Sequence, residues 1–187
     1  MCCEGVSSLD YLYGQQSIYM NVACNKLYKK SLFAETRYPV GRLHEDGFTT
    51  YKLLGMCKRV YMSNSDLYCY YQRENSIMNR TFSEKRIDEY FVYRERRKYF
   101  SERNLKEYFI ENEKTILACV FSLTLRIFES DWSELSKRKY YKIFREDLKK
   151  NYKLLCGIIS KKQKLLLDMY LVSPHVYIFA CYIKDKL

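Results

Sequence analysis

The chain has little histidine and little glycine, and it has no apolar run of membrane-spanning length. With two His in 187 residues, and eight Cys that form no C-x-x-C pair, zinc-ligand spacing is excluded. Six Gly leave no Gly-rich loop to cradle a phosphate. Pro174 and His175 interrupt the apolar tail, so no stretch reaches the roughly 20 residues that cross a bilayer. There is no internal repeat and no Gly/Ser linker. Met1-Cys2-Cys3-Glu4 has neither the basic region nor the apolar core of a signal peptide. A cytoplasmic, reducing setting is therefore expected, with the cysteines serving mostly as small buried hydrophobes.

What is present is aromatic and basic. The 22.7 kDa chain suffices for one domain, or one and a half. Its 20 Tyr and 10 Phe suit half-buried helix faces, sugar stacking and membrane interfaces alike. The net charge is +11, and residues 137–164 hold eleven Lys and Arg against two acids, a local net of +9. Such a region faces an anionic lipid, a nucleic acid or an acidic partner, unless it is simply solvated.

Periodicity predicts a short helix over 6–13 stopped by Gly14, a buried strand over 18–28, a helical turn over 30–36 and a helix over 46–57. Two strands, 59–63 and 67–72, flank a Ser63-Asn64-Ser65-Asp66 turn. From residue 83 the pattern is helical: a helix opening at Ser83, then 104–128, 133–156 behind a capping segment at Asp131, 161–172, and 174–184 beyond Ser173-Pro174.

The chemistry-bearing stretch is His44-Glu45-Asp46. It follows Pro39 and Gly41 and directly precedes the 46–57 helix, in which Phe48, Tyr51 and Leu54 recur every three residues. Two carboxylates and an imidazole are thus expected at a helix N-terminus. Acidic residues there also cap the helix and offset its dipole, so position alone does not separate the two roles.

The surrounding text points further. Val22-Ala23-Cys24-Asn25-Lys26-Leu27-Tyr28-Lys29-Lys30-Ser31-Leu32-Phe33, Arg37-Tyr38-Pro39-Val40-Gly41-Arg42, His44-Glu45-Asp46, and Tyr70-Tyr71-Gln72-Arg73 with Ser76-Ile77-Met78 occur in this order. Together they resemble the bacterial family 2 glycosyltransferases of GT-A type, which build capsule, exopolysaccharide and cell-surface glycans. The likeness is to the acceptor-side second half of their catalytic domain, over about residues 10–80. It implies an α+β class: a partial GT-A-like mixed sheet with helices over about 10–80, followed by an all-helical C-terminal region. The corresponding domains are 1–80 and a basic, amphipathic 81–187.

The resemblance also assigns roles. Asp46 takes the place of the general base of an inverting transfer, removing the proton of an acceptor hydroxyl as it attacks the anomeric carbon. Such a base typically contributes about 10²–10⁴-fold. His44 and Glu45 hold the base or touch the acceptor. Gly47 departs from the pattern, since relatives often carry an acid there. Arg73 is a candidate contact for the leaving diphosphate, through bidentate guanidinium–phosphate bonds, or else a structural partner of Glu45, Asp46 or Glu74. Lys26 reads as a strand-end charge.

The family's donor half carries an Asp-x-Asp for metal and diphosphate, and no Asp-x-Asp occurs here. No cofactor site is therefore expected in this chain, although Mg²⁺ or Mn²⁺ is expected of the complete enzyme. A nucleotide sugar is expected to bind only if the missing half is supplied. The acceptor implied is a surface polysaccharide or a lipid-linked glycan. The alternative is a non-catalytic, membrane- or partner-binding fragment of a truncated glycosyltransferase.

In the basic segment, Tyr141, Phe144, Leu148, Tyr152, Leu155 and Ile159 form an apolar stripe, with Lys142, Arg145, Lys149 and Lys153 beside it. One reading is a core-packing helix with a solvated basic face. The other is attachment to an anionic membrane surface, peripheral on the inner face of the plasma membrane. No helix-turn-helix, zinc or RNP-type motif supports nucleic acid as a partner.

Overall fold

The fold is that of a computed structural model, which describes residues 2–71 and 82–184. It is 67% helical. Among the described residues the strands are β1 (Cys2–Cys3) and β2 (Val60–Tyr61), an antiparallel pair with Cys2 opposite Tyr61 and Cys3 opposite Val60. This overturns the expected α+β class and its GT-A-like mixed sheet over 10–80. The helical reading from residue 83 onward agrees with the structure.

The expected strand over 18–28 is instead α1 (Ser17–Asn21) followed by irregular chain. Ile18 and Tyr19 point outward and only Met20 enters the core. Local bonds take the groups that a sheet would have paired. Asn21 Nδ2 donates to Ser17 O at 2.7 Å and to Leu12 O at 3.2 Å. Lys26 Nζ closes the end of α1 by donating to Tyr19 O at 2.5 Å and Val22 O at 2.6 Å. The expected strand over 59–63 shrinks to β2, and 67–71 carries no ladder, with Gln72 outside the described residues.

The chain forms two compact units, Met1–Phe109 and Ile110–Leu187. In the first, α2 (Glu45–Met56) is central, burying Phe48, Tyr51, Leu53 and Leu54. A 3-10 turn over Glu84–Ile87 leads into α3 (Asp88–Glu102). Leu9 and Leu12 of the 3-10 turn Ser7–Leu12 join Met20, Tyr51, Leu54, Tyr99 and Phe100 in one core. Tyr51 meets Tyr99 edge-on at 5.0 Å and Phe100 at 6.0 Å. Gly14, at φ 85°, ends the first turn as its position suggests. Gly5 lies so close to the end of α2 that a Cβ would stand 1.9 Å from Cys57 O.

The second unit holds most of α4 (Lys106–Glu129), then α5 (Glu134–Lys150), α6 (Tyr152–Ile158), α7 (Lys161–Val172) and α8 (Pro174–Lys184). Ser133 caps α5, accepting from Ser136 N at 3.2 Å. The single helix expected over 133–156 is broken at Asn151, whose Nδ2 turns back to Asp147 O at 2.9 Å. Ser160 and Gln163 form a reciprocal capping box at α7. Pro174 opens α8, where a missing N–H costs nothing. Among the described residues, no helix is long and apolar enough to cross a membrane.

Candidate functional site at the start of helix α2

The turn Pro39–Leu43 delivers the acidic pair, and α3 fastens it. Asp88 Oδ1 accepts from Arg42 Nη1 at 2.6 Å, and Asp88 Oδ2 accepts from the Leu43 amide at 2.9 Å. The Arg42 guanidinium lies 5.6 Å from the Phe48 ring centre and 6.0 Å from that of Phe91. His44 then adopts a left-handed conformation, φ 58° and ψ 37°, and α2 begins at once.

No side chain caps this helix at His44. Asp46 is not the N-cap but lies inside the first turn, with Oδ1 accepting from the Gly47 amide at 2.7 Å. Glu45 is exposed, whereas His44 and Asp46 are half-buried. His44 Nε2 is enclosed and has no hydrogen-bond partner. The structure thus brings His44, Glu45 and Asp46 together at a helix start, as the sequence reading expects of their placement.

Gly47, the departure from the family pattern, has a packing reason. A Cβ there would lie 3.1 Å from both methyls of Val92 on α3, so the residue sits at a close approach of the two helices.

Three further groups surround the motif; of these only Lys26 was singled out from the sequence. Arg96 is 2% exposed and supports the first turn from below. Its Nη2 donates to Gly47 O at 3.1 Å and also to Asn21 Oδ1, and its guanidinium packs 5.1 Å from the Tyr51 ring centre and 5.5 Å from that of Tyr93. Lys26 is tied to Tyr19 O, Val22 O and, at 2.7 Å, Asn25 Oδ1. It is a helix-end clasp rather than a strand-end charge. Burial pushes its ammonium down to about 8, against the opposing pull of Cys24 and then Asp46.

The third group is a set of hydroxyls. Tyr28, Tyr38 and Thr50 place buried oxygens without a well-aligned hydrogen bond, and Thr50 lies one helical turn beyond Asp46. Burial first, and then Tyr38 beside it, pushes the Tyr28 phenol up. Phe33 bridges the two rings, 5.5 Å from Tyr28 and 5.9 Å from Tyr38. The only signal for this group in the sequence was its aromatic density.

Arg73 lies outside the described residues, as does the rest of 72–81; Tyr70 and Tyr71, just before it, are exposed. Among the described residues, no three His, Cys, Asp or Glu side chains gather to hold a metal ion. Glu45 and Asp46 therefore do not fit a divalent cation by themselves, and no step is derived through one.

The residues of the basic segment are placed differently from one another. Tyr141, Phe144, Leu148 and Leu155 are buried, so the apolar stripe of α5 and α6 is spent inside the fold. Arg145 donates from Nε and Nη2 to Leu171 O, at 2.8 and 2.6 Å, closing the end of α7. Lys142 reaches Glu146 at 3.9 Å, an exposed pair of little energetic weight, and Lys149 and Lys153 face outward.

A stretch of 85 residues is 35% identical to glycosyltransferase GlyA of Streptococcus pneumoniae serotype 4, covering 44% of this chain and 12% of that protein. The chain is thus related, over part of its length, to a glycosyltransferase, of which it spans a small fraction. No family model matches the chain. No solved structure matches it either.

Proposed function

We propose that the chain is the acceptor-side part of an inverting glycosyltransferase, and that Asp46 is the base that takes the acceptor proton. The observation that carries the proposal is the fastening of His44-Glu45-Asp46 at the start of α2, in a chain partly similar to a glycosyltransferase. The carboxylate is half-buried and its helix start is held from three sides, by Asp88, Arg96 and Val92. A base held in fixed geometry loses little on reaching its proton. In this reading His44 and the exposed Glu45 hold the base or touch the acceptor.

The acceptor in this reading is a surface polysaccharide or a lipid-linked glycan. The nucleotide sugar, with Mg²⁺ or Mn²⁺, belongs to a donor-binding part outside these 187 residues. Transfer of labelled sugar from nucleotide sugars to a surface-glycan acceptor, measured with a donor-binding half supplied, should fall about 10²–10⁴-fold for Asp46→Asn with little change in KM. Equal rates would leave Asp46 only its role in the helix start. A chain that supports no transfer with any donor half supplied would favour the second reading, a non-catalytic fragment.

A further inference from the structure

Helix α8 carries no Lys, Arg, Asp or Glu from Pro174 to Ile183. One side is used within its own unit. Tyr177 and Ile178 are buried, and Tyr177 stacks on Phe121 at 4.5 Å and meets Tyr170 at 5.7 Å. The opposite side presents Val176, Phe179 and Ile183, which are 40%, 65% and 45% exposed, and Val172 at the end of α7 is 71% exposed. A helix that is apolar all round is ordinarily covered all round. Among the described residues, nothing covers Phe179 to more than about a third of its surface.

The charge of the same unit says what supplies it. Residues 137–164 carry the +9 excess, and Lys161, Lys162 and Lys164 open α7 beside an exposed Leu165. Arg145, bonded to Leu171 O and at 3.4 Å to Val172 O, puts a guanidinium at the junction with α8. An apolar helix face accompanied by cations is what an anionic lipid interface accepts, with side chains entering to about 5–10 Å. A second copy of the chain is a poor occupant. Three or four side chains fall far short of the roughly 20–30 residues a side that a stable dimer uses.

We propose that α8 lies in the interface of an anionic phospholipid surface, with Val176, Phe179 and Ile183 inserted and the basic residues of 137–164 drawing the unit there. The inserting face is therefore not the stripe of α5, which the fold has already buried. This proposal stands independently of the role of Asp46.

Co-sedimentation of the 187-residue chain should be greater with mixed phosphatidylcholine–phosphatidylglycerol vesicles than with phosphatidylcholine alone, and should fall with added salt. The double variant V176D/F179D should lower partitioning about tenfold or more at every salt concentration while leaving the helical circular dichroism intact, because both side chains are exposed. Lys142→Glu, Lys149→Glu and Lys153→Glu together should remove mainly the salt-sensitive part. Arg145 is kept, since it closes α7. In a separate readout, Phe179→Trp should be quenched by brominated lipid. Equal pelleting with both vesicle types, no pelleting with either, partitioning unmoved by V176D/F179D, or an unquenched Trp at 179 would each overturn the proposal. So would a concentration-dependent dimer that V176D/F179D dissolves without any vesicle binding.

Discussion

Asp88 holds Arg42 with one carboxylate oxygen and the amide next to Arg42 with the other, so a single side chain of α3 fixes the turn that delivers the acidic pair. The Arg42 side chain is half exposed although Asp88 is buried, so solvent screens the pair in part and its contribution is about 1 kcal/mol. The Leu43 amide is the more important bond, because it leaves an unpaired donor when its acceptor is removed. Asp88→Ala should therefore cost about 1–3 kcal/mol in urea unfolding. Asp88→Asn, which retains an acceptor oxygen, should cost less. Equal losses for the two would show that the charge, not the amide bond, dominates.

Arg96 should be among the costliest residues of the first unit to truncate. Its removal strands Asn21 Oδ1, takes a second donor from Gly47 O, withdraws a cation from two tyrosine rings and leaves a void. Arg96→Ala should destabilise by about 3 kcal/mol or more, and Arg96→Lys should recover only part, since one ammonium cannot reproduce the planar fork. Hydrogen exchange at the first turn of α2 should rise in both variants. Protection unchanged in Arg96→Ala would separate this residue from the site.

Gly5 and Gly47 make opposite kinds of close approach. At Gly5 a Cβ would meet backbone, 1.9 Å from Cys57 O and 2.5 Å from Leu54 O, and nothing flexible can yield. Gly5→Ala should prevent stable packing of the N-terminal residues, with a loss of about 3 kcal/mol or more on thermal or urea unfolding. At Gly47 the neighbour is the Val92 side chain. Gly47→Ala should destabilise the wild-type chain yet stabilise a Val92→Ala background, where the helix propensity of Ala, worth up to about 1 kcal/mol, is gained without the clash. An additive double-mutant cycle would refute that contact.

Stability should fall steeply above about pH 10. Burial pushes the phenol of Tyr141 up to about 12, and it also pushes those of Tyr51, Tyr170 and Tyr177 upward. An unfolded chain releases tyrosine protons near pH 10 while the folded one retains them. The unfolded state then binds fewer protons, so the stability present below that pH is lost as pH rises. Lys26 works in the other direction. Its folded value of about 8 lies below the unfolded value of about 10.4, so its contribution improves between those limits. Urea midpoints should hold or rise slightly from pH 8 to 10 and then drop, and Lys26→Met should remove the rise alone.

The helices from residue 83 onward were legible because their apolar spacing and their stops agree; α7 ends and α8 begins where Ser173 and Pro174 say they should. The break at Asn151 was not, because an Asn folding its amide back to Asp147 leaves no mark on periodicity. The strand expected over 18–28 was misread because an apolar run of short length suits a buried strand or a helix equally. What decided it was Asn21 and Lys26, polar residues bonding backward to local carbonyls. Of the site, the acidic pair was readable and its supports were not. Asp88 and Arg96 sit among charged neighbours, Glu89, Arg94, Arg97 and Lys98, and only the packed structure singles out the two that turn inward.

The bond from the Gly47 amide has a stereochemical result. With Oδ1 engaged by its own helix at 2.7 Å, one of the four lone pairs of the Asp46 carboxylate is taken by the backbone. Rotating the carboxyl group to present the other oxygen would exchange one atom for its twin at the same amide and change nothing. The Gly47 amide thus ties the orientation of the carboxylate to the backbone of its own helix. The lone pairs of Oδ2 and the second lone pair of Oδ1 are the ones that meet an arriving hydroxyl.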